Sequence, residues 1–418
     1  MAVRCGPTAL SVAAAERRWS VTRNLEGMRA ELESAFLRYF GAAATAGALA
    51  PGRVNLIGEH TDYNHGLVLP CAVNLGTVAL LRLRPGSSVR VHSRELGELR
   101  EFDAGMPRRQ GGWIDYVQGV VAALAERGVA TGGFDLALAS ELPVGSGLSS
   151  SAALELAVLC ALDAALDLGL EPVERARLAH RAENGFAGVA CGIMDQFASA
   201  LGRRGHALRL DCRSEAVEAV GFPSQRATLL VAHSGSAREL ATAGYGQRVA
   251  ECTRALEAAR AAGLLPVRAE SLRELLPDRL PELAGVADPV AYRRARHVLS
   301  ENARVDACCA ALRAGDLVRV GELLREGMRS LREDFEVSTP ELDLLCAEAD
   351  ALPGVYGSRL TGAGFGGCTL HLVEAEAAGE VALRLAASFA ARTGRHPPVW
   401  AVEPAAGAAA FATEAAGS

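Results

Sequence analysis

The side chains with most chemistry to offer are crowded into one run, Ala50-Pro51-Gly52-Arg53-Val54-Asn55-Leu56-Ile57-Gly58-Glu59-His60-Thr61-Asp62-Tyr63-Asn64. Packing gives a surface loop no reason to hold Arg, Glu, His, Asp and two Asn between apolar residues and glycines. Val54, Leu56 and Ile57 can anchor a short strand while the polar members converge on a small polar ligand. Glu59 and Asp62 can each accept two hydrogen bonds from the hydroxyls of a sugar-like molecule. The bland alternative is a salt-bridged turn pairing Arg53 with Glu59 or Asp62.

A second run, Leu142-Pro143-Val144-Gly145-Ser146-Gly147-Leu148-Ser149-Ser150-Ser151-Ala152-Ala153, leads from a strand into a long helix. Helix starts expose unpaired N–H groups and the positive end of the dipole, which suits phosphate. Gly145 and Gly147 let phosphate oxygens reach the main chain, and the hydroxyls of Ser146, Ser149, Ser150 and Ser151 can bond phosphate or ligate Mg²⁺. An ordinary serine-capped helix is the competing reading. Further on, Asp195 falls in the first turn of a short helix after Gly192, where it suits either the dipole or an acceptor hydroxyl. Glu183 can offer a carboxylate to a metal. A third run, Ser358-Arg359-Leu360-Thr361-Gly362-Ala363-Gly364-Phe365-Gly366-Gly367-Cys368, reads as a flexible hairpin or as a second backbone wall round phosphates.

Composition narrows the chemistry. All 43 basic residues are Arg, because the chain contains no lysine. A Walker A loop, a protein-kinase ion pair and Schiff-base catalysis each need that residue and are excluded. Net charge is −6 with no basic run, which argues against nucleic acid or a membrane surface. The longest apolar candidate, 152–166, is broken by Glu155 and Asp163, so no membrane span is expected. Ten cysteines without a Cys-x-x-Cys pair or nearby His suggest buried thiols in a reducing cytoplasm.

Several elements must position these runs. Residues 1–27 show no period and read as a flexible extension; a helix is expected from Met28 to Phe40. Strands are expected at 77–84 and 89–92, joined by a Pro85-Gly86 turn, then a helix at 113–127 ending at Gly128, and a strand at 133–139. A helix over 173–184 precedes strands at 207–211 and 227–233, and a domain boundary is placed near 221. Helices are expected at 239–262 and through most of 288–332, and Ser338 with Glu341 has the spacing of a capping box. The units are therefore 28–220 and 221–403, with a disordered Ala/Gly-rich tail over 404–418.

Taken together and in this order, the three runs resemble the galactose/homoserine/mevalonate/phosphomevalonate kinase superfamily, and the first resembles the galactokinase signature nearly residue for residue. The likeness extends from about Met28 to Glu403. It implies an α+β fold of two domains with the active site in the cleft between them. The implied reaction is ATP-dependent phosphorylation of galactose at its anomeric hydroxyl, with Mg²⁺, in a cytoplasmic monomer. By resemblance Arg53 and Asp195 would be catalytic, and Glu59, His60, Thr61, Asp62, Asp195 and Tyr245 would bind sugar. Gly145, Ser146, Gly147, Leu148, Ser149, Ser150 and Ser151 would wrap the ATP phosphates, with Ser151 and Glu183 reaching the metal. Three departures, His65, His233 and Gly244, bear on the choice of sugar. Sister kinases of N-acetylgalactosamine or L-arabinose stay open as alternatives, as does a non-catalytic galactose and ATP sensor.

Overall fold

The computed structural model describes residues 25–143, 146–236 and 241–413. The first element, α1 (Leu25–Phe40), starts three residues before the expected Met28. It packs Leu32, Phe36 and Phe40 on the outer face of a six-stranded sheet. That sheet contains β1 (Ala46–Asn55), β3 (Pro70–Arg84), β4 (Ser88–Ser93), β5 (Glu98–Asp103), β6 (Gly133–Ser140) and β13 (Ala409–Phe411), in the order β13-β1-β3-β6-β4-β5. The Pro85-Gly86 turn does join β3 to β4, but the two strands do not pair. Strand β6 enters between them, antiparallel to β3 and parallel to β4. Helix α2 (Ile114–Glu126) makes the connection that brings it there.

Helix α3 (Ser150–Leu166) is apolar on nearly every side and is buried against β1 and β3, as an all-round hydrophobic helix must be. Leu, Ala and Val supply most of this core, in keeping with an aromatic content of only 5%. Next come α4 (Pro172–Arg181), a π-helical turn over Ala182–Ala187, and α5 (Met194–Leu201). A small sheet joins β2 (Leu67–Val68), β7 (His206–Asp211) and β8 (Val217–Gly221).

The second half is built on an antiparallel sheet ordered β10-β11-β9-β12, from β9 (Ala227–His233), β10 (Val355–Thr361), β11 (Cys368–Glu374) and β12 (Val399–Val402). Helices α6 (Ala241–Ala261), α7 (Pro289–Ala314), α8 (Leu317–Glu333), α9 (Pro340–Asp350) and α10 (Ala378–Thr393) surround it. Asp288 caps α7 by accepting N–H bonds from Val290 and Ala291. The cap of α9 lies one residue later than expected: Thr339 accepts the Leu342 N–H, while the Ser338 hydroxyl turns to Asp343.

The expected tail requires correction. Residues 404–413 are built into the first sheet: Ala405 N–H bonds to Ala72, Gly407 N–H to Gly202, and β13 pairs with Gly47–Leu49 of β1. Few side chains are available there, yet the backbone finds an open strand edge, and a paired edge orders a chain of any composition. Residues 414–418 and 1–24 of the expected extension lie outside the described residues.

Candidate active site

Asp195 stands in the first turn of α5, and two of the sequence runs converge on it. Arg53, at the end of β1, donates from Nε (2.8 Å) and Nη2 (2.6 Å) to Oδ1. Ser149 donates its hydroxyl to Oδ2 at 2.5 Å. Arg53 also reaches the Gly147 carbonyl through Nη1 at 2.5 Å, tying the serine-rich turn to the same guanidinium. Three donors leave the carboxylate about one free lone-pair site of its four, enough for one incoming hydroxyl.

The serine-rich turn is not an ordinary capped helix. Ser149 sits at the N-cap of α3 in the left-handed region (φ 59°) and makes no side-chain cap. Holding a non-glycine residue there costs about 1–3 kcal/mol, which surrounding contacts must offset. Its hydroxyl serves Asp195 instead of capping the first N–H groups of α3. Gly147, Ser149, Ser150 and Ser151 line that cavity. Ser146 and Leu148 do not, and here the expectation is corrected. The Ser146 hydroxyl accepts the Leu148 N–H, the Leu148 side chain is buried in the core, and the Leu148 carbonyl receives the Arg53 N–H. These two residues shape the turn. Gly145 lies outside the described residues.

Behind the turn, Glu183 accepts hydrogen bonds from the Ser151 hydroxyl and from Gln196 Nε2 at 2.6 Å. Burial, with the nearby charge of Asp195, raises its carboxyl to about 7. Glu155, one turn beyond Ser151 on α3, is completely buried beside it and pushed well above the usual carboxylate range by burial and by Glu183. Sequence reading missed Glu155 and Gln196, although the spacing of four from Ser151 places Glu155 on the same helix face.

On the other wall, the turn after β1 carries Glu59, His60 and Asp62 into the cavity. Burial raises Glu59 to about 7 against the opposing pull of Arg359, and burial with the charge of Asp195 raises Asp62 to about 6. His60 (φ 62°) is held neutral, its pKa lowered by burial to about 3. Its Nε2 faces the Ala363 carbonyl at 3.1 Å and so carries the proton, while Nδ1 accepts from the Tyr63 hydroxyl at 3.0 Å. With both nitrogens engaged, the ring is a wall rather than a hydrogen-bonding hand. Thr61 corrects the expectation outright: it is fully buried, and its hydroxyl is 2.7 Å from both the Gly58 and the Leu67 carbonyls, so it braces the turn.

Tyr245 on α6 lines the cavity next to Asp62, and its phenol accepts the Gly192 N–H. Gly192 itself lies so close to Asp62 that a Cβ would overlap the carboxylate. Gly192→Ala is therefore expected to raise the KM for a sugar acceptor at least about 30-fold and to leave the KM for nucleotide within about two-fold, as steady-state kinetics would show.

The third run departs from its expected role. Of its residues only Gly362 and Ala363 line the cavity, and their backbone contacts are with Glu59 and His60. The cavity, about 740 Å³, is also lined by Leu96, Arg109, Trp113, Tyr116 and Leu138, which sequence reading missed. Trp113 looked like a helix start and nothing more. The three departures from the family pattern stay off the cavity wall. His65 offers its carbonyl to Arg273, His233 receives the Gly235 N–H on Nδ1, and Gly244 backs onto the Phe365 ring.

The chain matches three family descriptions: the galactokinase galactose-binding signature over residues 34–83, the GHMP kinases N terminal domain over 115–203 and the GHMP kinases C terminal over 309–391. It is 44% identical to the galactokinase of Chloroflexus aggregans, across 87% of this chain and 92% of that protein. The human galactokinase is 42% identical across 84% and 89%. A crystal structure of Lactococcus lactis galactokinase complexed with galactose superposes with a TM-score of 0.86 at 34% identity, covering 91% of this chain and 99% of that one. Methanococcus jannaschii mevalonate kinase, 16% identical with a TM-score of 0.64, shares the fold.

Proposed function

The chain belongs to the galactokinase family of GHMP kinases, and from that premise we propose how its residues carry the γ-phosphoryl of ATP to the anomeric hydroxyl of D-galactose. What supports the assignment most is the convergence of the sugar-side run and the serine-rich turn on one carboxylate, Asp195, through Arg53 and Ser149. The free site of Asp195 orients the acceptor hydroxyl and takes up its proton as the phosphoryl arrives. Arg53 keeps that carboxylate in place and neutralises charge on the transferring group. Glu59 and Asp62 accept hydroxyls of the sugar, the Tyr245 phenol donates to it, and the His60 ring closes one face.

The phosphates rest on Gly147 and on the start of α3, with Ser149, Ser150 and Ser151 beside them. The aromatic rings of Trp113 and Tyr116 on the cavity lining suit the adenine. Ser151 and Glu183 would hold Mg²⁺. They fit it, since both are hard oxygen donors facing the phosphate turn, and Mg²⁺ commonly takes one or two protein oxygens and completes its shell from phosphates and water. Bound there, the ion supplies charge neutralisation on the phosphates, the part a lysine plays in other kinases. Residues from both anticipated units border the cavity, Asp195 and Glu183 from 28–220 and Tyr245 and Gly362 from 221–403. Among the described residues no cysteine forms a disulfide, which suits a reducing cytoplasm.

An ADP-release assay over a sugar panel tests the assignment. D-galactose is expected to exceed N-acetylgalactosamine and L-arabinose in kcat/KM by at least about ten-fold, and any other sugar ahead of galactose would overturn it. A pH prediction follows from the raised carboxyls. Glu59 and Asp62 are the stronger hydroxyl acceptors when ionised, so sugar capture is strongest well above about 7 and weakens as pH falls through about 7 and then about 6. At saturating MgATP, kcat/KM for galactose should therefore climb across that window and level off above it. A flat profile from pH 5.5 to 8 would contradict these roles.

A further inference from the structure

Arg359 is fully buried, yet no step above uses it. It belongs to the third sequence run, on β10, and its guanidinium fork is filled from three directions. Nη2 is ion-paired with Glu59 Oε2, Nη1 donates to Glu301 Oε1 at 2.9 Å, and Nε donates to its neighbour's Leu360 carbonyl at 3.3 Å. Glu301, on α7, also receives the Gly58 N–H (2.9 Å) and Arg304 Nε (2.7 Å). Among the described residues the other oxygen of Glu59 receives just the Gly362 N–H, at 3.3 Å, and its side chain borders the cavity. One carboxylate edge is thus locked while the other is left for a ligand.

We propose that Arg359 is the positioning residue for sugar capture: suspended between Glu301 and Glu59, it sets the direction in which the Glu59 carboxylate meets the sugar hydroxyls. The inference rests on the sugar-kinase reading and assigns part of its acceptor selectivity to the third run. Geometry supports it. A guanidinium can bridge two carboxylates from separate elements with parallel, directed bonds, whereas an ammonium is a point charge and cannot hold both in register. The charged groups acting on Glu59 are Arg359 on β10, Glu301 on α7 and Arg53 on β1. Arg359 is the one among them bonded to it. Without that bond, burial favours the neutral acid, which is a poorer acceptor.

The test compares Arg359→Lys, which keeps the charge, with the double variant Arg359→Met/Glu301→Gln, which removes one charge of each sign. Both are assayed beside the wild type for melting temperature, KM for galactose, KM for MgATP and the pH profile of kcat/KM. The expected result is a folded enzyme whose galactose KM rises at least about ten-fold while the MgATP KM stays within about two-fold. The acid limb of the double variant should move to higher pH. Recovery of the melting temperature by the lysine without recovery of galactose KM is the signature of positioning. A galactose KM within three-fold of wild type in either folded variant overturns the proposal. So does a parallel rise of both KM values, or failure of both variants to fold, since either makes Arg359 a strut. A wild type that does not turn over galactose would sink the functional reading as well, which separates the two failures.

Discussion

Asp195→Asn is expected to lower kcat by about 10³- to 10⁴-fold while galactose binding changes by less than about three-fold. The substitution is isosteric, so Arg53 still finds an oxygen at Oδ1, and the Ser149 hydroxyl can reverse its bond to accept from the new amide. Glu59, Asp62 and Tyr245 are untouched. What disappears is the acceptor site that orients the sugar hydroxyl and receives its proton, a contribution made as the phosphoryl moves rather than in the ground state. Calorimetric titration with galactose and single-turnover kinetics separate the two quantities. Turnover within ten-fold of wild type would remove Asp195 from the mechanism.

Arg53→Ala should produce the second largest loss, about 10²- to 10³-fold in kcat with a smaller rise in KM for galactose. This guanidinium connects three things at once: Asp195 through two nitrogens, the Gly147 carbonyl through the third, and the charge on the phosphoryl in flight. Arg53→Lys should recover little, because one ammonium cannot span Asp195 and Gly147 together. Free guanidinium added to the alanine variant should restore part of the rate; an alanine variant already within five-fold of wild type would dismiss the role.

Much of this site could be read before any coordinates. The first run displays its chemistry because ionisable residues stand where packing has no use for them, and Arg53, Glu59, His60 and Asp62 all border the cavity. Thr61 was misjudged because a hydroxyl within a polar run looks like a ligand until its carbonyl partners are known. Ser146 and Leu148 were misjudged for a related reason: alternate residues of a tight turn face opposite ways, and that alternation is invisible without the backbone angles. Arg359 shows no sign of its role in one dimension, since a buried charge is recognised by partners distant in sequence, such as Glu59 300 residues away; Glu155 shows as a charge inside an apolar stretch, but the carboxylate of Glu183 that it meets does not. The order of strands was equally hidden. A Pro-Gly turn between β3 and β4 suggests a hairpin, and only the return of the chain through α2 explains why β6 lies between them.

The last strand brings the described chain back to its first helix and first strand. Phe411 covers Gly47 and sits 4.4 Å beneath the Arg29 guanidinium, while Arg29 also holds the Ala412 carbonyl and Thr413 reaches Ala44. A short Gly/Ser splice could therefore join Thr413 to the start of α1, with new ends opened at a distant surface turn such as Pro85-Gly86, without disturbing the reacting groups. Clipping the final ten residues would have the opposite result. It would bare the rim of β1 as a sticky margin on which a second molecule could stack, turning a well-behaved enzyme into a seed for fibrous association.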